Sequence, residues 1–115
     1  MSAPRSAWGT AHLQEVLDNE VDYHLWRFWR SLAYRAEEYK TSEQPVLAEE
    51  LRRIAAHVQS ARMLLKHTSA PALPIMQALR NILTEFTPDD GVDYGELEIA
   101  HRAAKLAAHE MTMPD

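Results

Sequence analysis

The chain has 115 residues, 46% hydrophobic and 25% charged, so it is long enough for one folded domain and too apolar for a wholly disordered chain. It contains no cysteine, which excludes disulfide bonds, thiolate nucleophiles and cysteine metal sites. The net charge of −5 comes from residues 88–115, which carry seven acidic and two basic side chains. Such an acidic segment repels the phosphates of a nucleic acid.

No segment approaches the roughly 20 consecutive apolar residues of a membrane span. Residues 1–7 contain one arginine and no apolar run, so they do not read as a secretory signal. We therefore expect a cytoplasmic protein with no membrane segment. Arginine outnumbers lysine nine to three beside many alanines, a composition typical of a high-GC genome that favours a bacterial or phage source.

The chain begins with a predicted arm over residues 1–9, which Pro4 and Gly9 interrupt and whose Trp8 is expected to fold back onto the body. A first helix is predicted over about residues 10–39, because no proline or glycine interrupts that stretch. At 1.5 Å per residue this helix would be about 45 Å long. A polar patch around Asn19 leaves open a bend or a restart within it.

The clearest helical pattern lies in the middle of the chain, where six apolar residues recur with gaps of four, three, four, three and four. They are Leu47, Leu51, Ile54, Val58, Ala61 and Leu65. This spacing predicts a second helix over about residues 45–67, with Pro45 in its first turn and Thr41 and Gln44 as a capping box. Such a helix is not stable alone, so it must lay its apolar stripe on other helices.

Two more helices are predicted in the second half. Pro74 suits the first turn of a third helix over about residues 74–86, and the loop of residues 87–91 follows it. Asp93 with Glu96 resembles a capping box for a fourth helix that runs to about residue 111, and residues 112–115 are a frayed C-terminus.

No stretch alternates in the manner of a β-strand. The sequence therefore predicts an all-α fold over residues 1–115, as a single helical domain. Its architecture is a small bundle or array of about four helices with a long first helix.

The first helix has two apolar faces when drawn on a wheel at 100° per residue. Its core face comprises Leu25, Phe28, Trp29, Leu32, Ala36 and Tyr39. The second face carries Tyr23, Trp26, Arg30 and Tyr34. Arginines and aromatic residues also lie four apart, which lets a guanidinium cover a ring; the pairs are Tyr23–Arg27, Trp26–Arg30, Arg30–Tyr34 and Arg35–Tyr39.

Tryptophan, tyrosine and arginine are the residues that most often anchor protein interfaces. We therefore predict an interaction surface made of Tyr23, Trp26, Arg27, Arg30 and Tyr34. Two alternatives stay open. The first helix could be central in the fold and bury this face within one chain, or the face could form an aromatic pocket for a small ligand.

A helical metal-binding protein or enzyme is a further alternative, since Glu98 and His101 form a Glu-x-x-His pair of the kind that di-metal bundles use. No other glutamate has a histidine three residues on, and Lys105 lies between the candidate ligands His101 and His109. The face also points away from Leu97 and is expected to be solvated.

Nucleic acid is a second alternative ligand, because the first two helices carry most of the basic residues. The second helix has Arg52, Arg53, Arg62 and Lys66. However, a recognition helix after a short turn would have to be basic, and the third helix offers only Arg80 while the fourth is acidic. The alternative is therefore a nucleic-acid-associated subunit whose neighbours supply the charge, and we do not expect nucleic acid as a direct ligand.

No phosphate-binding loop, zinc motif or nucleophile elbow is present, so no enzyme activity, catalytic residue, cofactor or metal is expected. The sequence favours a non-enzymatic helical protein–protein interaction module. It would act as a homodimer, or as a regulatory or assembly subunit of a larger complex. The partner would be a protein or a second copy, selected in part by the charge of the acidic last helix.

Overall fold

A computed structural model of the protein describes residues 11–68, 70–86 and 92–112. These residues form four helices and no strand: α1 (Ala11–Thr41), α2 (Pro45–His67), α3 (Ala72–Leu83) and α4 (Gly95–Thr112). The predicted all-α fold with a long first helix is confirmed. The predicted N-terminal arm with Trp8, the loop of residues 87–91 and the last three residues of the predicted frayed end lie outside the described residues.

The first helix is continuous. It spans 31 residues, or about 46 Å, and it runs through Asn19 without a restart. The side-chain hydroxyls of Thr41 and Ser42 both donate to the carbonyl oxygen of Glu38, at 2.9 and 2.7 Å. The same carbonyl accepts from the Ser42 N–H at 3.0 Å, so three donors converge on it at the helix end, where backbone carbonyls run out of partners within the helix.

The four helices form a closed ring of neighbours. The main packing contacts join α1 to α2, α2 to α3, α3 to α4, and α4 back to α1. Two ion pairs show that α1 and α2 run antiparallel, because Asp22 meets Arg62 while Glu37 meets Arg52. The long first helix is thus flanked on two sides and keeps one side away from the core.

The core is built from the predicted stripes. On α2, the residues Leu51, Ile54, Val58 and Ala61 are buried, and Leu47 and Leu65 are half-buried. The buried face of α1 comprises Val21, Leu25, Phe28, Leu32 and Ala36, with Trp29 and Tyr39 packed at its edge. The face of α4 is mostly alanine, which lets helices approach closely; its buried residues include Ala100, Ala103, Ala104 and Ala107.

The helix starts differ in detail from the predictions. The residue before α2 is Gln44, and no side chain in the described part of the chain caps this helix, so the predicted capping box of Thr41 and Gln44 is wrong. Helix α3 begins two residues before Pro74, which still lies in the first turn, where a missing N–H costs little. At α4 the carboxylate of Asp93 accepts a bond from the Gly95 N–H at 2.8 Å.

None of the helices that the structure describes has an apolar stretch long enough to cross a lipid bilayer.

Candidate interaction surface

The five predicted surface residues lie on the side of α1 that faces away from the core. Tyr23 is 48% exposed and Tyr34 is 69% exposed, Arg27 and Arg30 are also exposed, and Trp26 is half-buried. The described helices therefore do not bury this face within one chain. The alternative in which the other three helices wrap the first helix on all sides is wrong. Exposed tyrosines of this kind leave apolar ring surface in contact with water.

Two guanidinium groups rest on aromatic rings of this face. The Cζ atom of Arg27 is 5.7 Å from the ring centroid of Tyr23, and its Nη1 donates to the Tyr23 hydroxyl at 3.3 Å. The Cζ atom of Arg30 is 5.5 Å from the ring centroid of Trp26. Side chains held in this way have less conformational freedom to lose when a partner binds.

The other two predicted pairs have different outcomes. The Arg35–Tyr39 pair is present, with a bond of 3.1 Å to the tyrosine hydroxyl and a ring distance of 5.5 Å. Among the described residues, no ring contact joins Arg30 to Tyr34, because the arginine covers Trp26 instead. Tyr34 therefore keeps its ring largely in solvent.

A shallow groove of about 690 Å³ follows this face. Its lining includes all five predicted residues together with Glu38 and Asp93, which add negative charge. The groove therefore offers aromatic surface, arginine donors and carboxylate acceptors within one continuous strip. It suits an extended polar and apolar partner better than a small molecule, since small-molecule sites are mostly concave and apolar.

A chain of ionic contacts ties this face to the start of α4. Glu96 accepts from Arg27 Nε at 3.1 Å and also bonds Nδ1 of His24, whose Nε2 lies 3.1 Å from Glu20. The Tyr23 hydroxyl and the charge of Glu96 raise the pKa of Arg27. Sequence reasoning missed this cluster because Glu96 follows His24 by 72 positions and no local pattern connects them.

The structure pairs the three arginines of α2 with carboxylates. The Nε atom of Arg62 is buried against Asp22 at 3.0 Å. Arg52 lies 3.6 Å from Glu49, and Arg53 lies 3.9 Å from the same carboxylate. A phosphate backbone needs unneutralised cations along its path, so this helix gives little support to the nucleic-acid alternative.

The metal alternative depends on His101, and the expectation that this side chain is solvated is wrong. Its residue is only 8% exposed, because Arg80 of α3 reaches across and donates to Nδ1. Arg80 also holds Glu98 at 3.2 Å. A helical wheel of α4 alone could not predict this burial, because the side chain that covers His101 belongs to α3.

A guanidinium bound to both candidate ligands opposes a metal cation at the same place. Burial lowers the pKa of His101, and the charges of Arg80 and Lys105 lower it further. The described residues include no group of three or more His, Asp or Glu side chains placed to hold a metal ion.

The acidic last helix is also less available than expected. Glu96 is engaged by α1 and Glu98 by α3, so part of the negative charge of α4 is neutralised within the chain.

A feature that the sequence did not predict is a second shallow groove of about 550 Å³ between the start of α2 and the end of α3. Its lining includes Val46, which is 79% exposed, and Phe86.

Comparison with protein-family models, with curated proteins and with solved structures finds no match to this chain.

Proposed function

We propose that this chain is a non-enzymatic protein–protein interaction module that docks through the outer face of α1. One observation carries the proposal: tyrosine, tryptophan and arginine side chains are clustered on an exposed face and held there by contacts within the helix. Residues of these three types are enriched among the few that supply most of the binding energy in protein interfaces. A cluster of this kind has no role in the core that the four helices share.

The anchors of this surface would be Trp26, Tyr23 and Tyr34. Burying an aromatic ring against a partner removes a large apolar area from water. Arg27 and Arg30 would add directed hydrogen bonds to carbonyl or carboxylate oxygens of the partner. The module would act as a homodimer or as a regulatory or assembly subunit of a larger complex.

The compartment we propose is the cytoplasm of a bacterial or phage-infected cell. The support is compositional, because a chain without cysteine needs no oxidising compartment and its arginine and alanine usage fits a high-GC genome.

The proposal is tested by site-specific photo-crosslinking in the full-length chain. A photoreactive phenylalanine replaces Tyr34, and in a control chain it replaces Leu64, which is 50% exposed on α2. We expect the Tyr34 position to form a protein adduct in cells of the native host and the Leu64 position to form none. The adduct should decrease at least about tenfold when Trp26→Ala is added, because the central ring of the surface is then lost.

Equal adducts from Tyr34 and Leu64 would mean that neither face is a specific interface. An adduct at Tyr34 that survives both Trp26→Ala and Arg30→Glu would also count against this surface.

A further inference from the structure

The exposed side of α1 carries a seven-residue repeat. Six residues recur with gaps of four, three, four, three and four, which is the spacing of a coiled-coil seam: Val16, Glu20, Tyr23, Arg27, Arg30 and Tyr34. All six are exposed. They span about 27 Å along the helix, and at its border Arg27 also pairs with Glu96 at the start of α4.

This seam is complementary to itself when a second copy lies antiparallel to it. With the two-fold axis beside residue 25, Val16 meets the ring of the partner's Tyr34 and Glu20 meets the partner's Arg30. The innermost layer places Tyr23 against the partner's Arg27. Each layer thus pairs an apolar group with a ring, an acid with a base, or a ring with a guanidinium.

The parallel arrangement does not have this property. In register, it would place Glu20 against the same glutamate of the partner, and Arg27 and Arg30 each against their own copies. Three of the six layers would then bring like charges together, which is destabilising. The order of the charges along the seam therefore favours only the antiparallel direction.

We propose that the occupant of the α1 surface is a second copy of this chain, docked antiparallel about a two-fold axis near residue 25. The proposal rests on the function proposed above and names its partner. An interface of this kind is isologous, so each contact occurs twice. The internal contact of Glu20 with His24 is compatible with it, because a carboxylate accepts several hydrogen bonds.

Three charged positions in a seam lower its stability but fix its register and direction. A seam of about 27 Å also buries an area at the low end of the range for specific interfaces. The dimer is therefore expected to dissociate on dilution.

The decisive test exchanges charges between the two positions of one layer. Glu20→Arg alone and Arg30→Glu alone each bring like charges together twice in a dimer, so each should weaken self-association about tenfold or more. An equimolar mixture of the two variants restores opposite charges in both layers, and it should form a heterodimer as strong as the wild-type dimer. The double variant within one chain should recover self-association as well.

Sedimentation velocity over a range of protein concentrations measures self-association of the wild type, the two single variants, their mixture and the double variant. Arg53→Glu, at an exposed position on α2, is the matched control and should leave self-association unchanged. The proposal is overturned if the wild type is a monomer at every concentration, or if the mixture associates no better than its components.

Direction is tested separately by disulfide formation, which the absence of native cysteines makes simple. Val16→Cys and Tyr34→Cys are made in separate chains and oxidised alone or mixed. The antiparallel dimer predicts a mixed disulfide and little disulfide in either chain alone, because equivalent positions then lie about 27 Å apart. Disulfides in each chain alone would instead indicate a parallel dimer and overturn the proposal.

The two proposals fail in different ways. A monomeric wild type whose Tyr34 crosslinker captures a different protein would overturn the self-docking and leave the interaction module standing. No protein adduct from Tyr34 in any sample would overturn both.

Discussion

At the scale of single residues, His101 is buried in a position that favours its neutral form. Arg80 donates to Nδ1, so a proton on that nitrogen would meet a guanidinium, and Nε2 is buried with no hydrogen-bond partner among the described residues. Burial and the charges of Arg80 and Lys105 hold the pKa of His101 below its ordinary value of 6.5. Protonation therefore opposes the folded state.

This arrangement predicts a pH dependence of stability. The unfolded chain takes up the proton of His101 near pH 6.5, whereas the folded chain takes it up only at lower pH. The stability that depends on a neutral His101 is therefore fully present above pH 6.5. It is lost as the pH falls from there through the lowered pKa of the folded chain. His101→Gln keeps an acceptor for Arg80 and removes this titration.

Urea denaturation of the wild type and His101→Gln at several pH values between 7.5 and 4.5 measures the effect. As the pH falls, the free energy of unfolding of His101→Gln should rise relative to that of the wild type. A difference that is constant with pH would show that His101 does not titrate in this way.

A second residue-scale prediction concerns Glu43, whose φ angle of 62° lies in the left-handed region. That region costs a side chain with a Cβ atom about 1–2 kcal/mol, and glycine avoids this cost but loses about 0.5–1 kcal/mol of backbone entropy on folding. Glu43→Gly should therefore raise the free energy of unfolding by about 0.5 kcal/mol. Glu43→Ala, which keeps the Cβ atom, is the control in the same denaturation experiment and should give no such gain.

At the scale of elements, the pair of Asp22 and Arg62 joins α1 to α2. The arginine side chain is only 10% exposed and also bonds Gln59 at 3.2 Å. Asp22→Asn keeps the shape but leaves a buried guanidinium without its counter-charge, so we expect a loss of about 1–3 kcal/mol. Glu49→Gln, which breaks two exposed pairs on α2, should change stability by less than about 1 kcal/mol.

Equal losses in thermal or urea unfolding from these two changes would show that burial of Arg62 adds nothing to the ion pair.

The helices differ in how far the sequence could predict them. Both ends of α2 lie where the sequence predicts them. The reason is that the apolar stripe defines the buried face and Pro45 defines the first turn, and both signals lie within the segment itself. The outer face of α1 is also readable from local spacing, and three of the four arginine–aromatic pairs follow from it. These are features that one helix determines alone.

Contacts between helices were not predictable in the same way. The bonds of Glu96 to His24 and Arg27, and the cover of Arg80 over His101, join residues that are distant in sequence. A helical wheel ranks residues by angle on one helix and contains no information on which neighbour reaches across. Local spacing predicts Glu96 as a capping residue of α4. In the structure its carboxylate contacts His24 and Arg27 of α1.

At the scale of the whole molecule, the four helices share one hydrophobic cluster. Phe28 is 1% exposed within it and packs on Tyr94, with 5.6 Å between ring centroids. Phe28→Ala should lower the free energy of unfolding by about 3–5 kcal/mol, a large part of the 5–15 kcal/mol typical of a folded protein. Tyr34→Ala on the exposed face should change it by no more than about 0.5 kcal/mol.

A shared core also predicts that the helices unfold together. Urea curves followed by far-ultraviolet circular dichroism and by tryptophan fluorescence should therefore coincide at a concentration where the oligomeric state is constant. Separate midpoints for the two probes would show that the surroundings of the three tryptophans, two of which lie on α1, unfold independently of the rest.

Arg27 belongs to two structures at once, since it holds the ring of Tyr23 on the outer face and the carboxylate of Glu96 at the start of α4. A bound molecule that draws this guanidinium toward itself would weaken its ion pair with Glu96, and a weaker ion pair would in turn leave the guanidinium freer to contact the bound molecule. The two equilibria are thermodynamically coupled and change each other by the same factor. Occupation of the outer face of α1 would therefore change the ion pairing at the start of α4, where Glu96 lies.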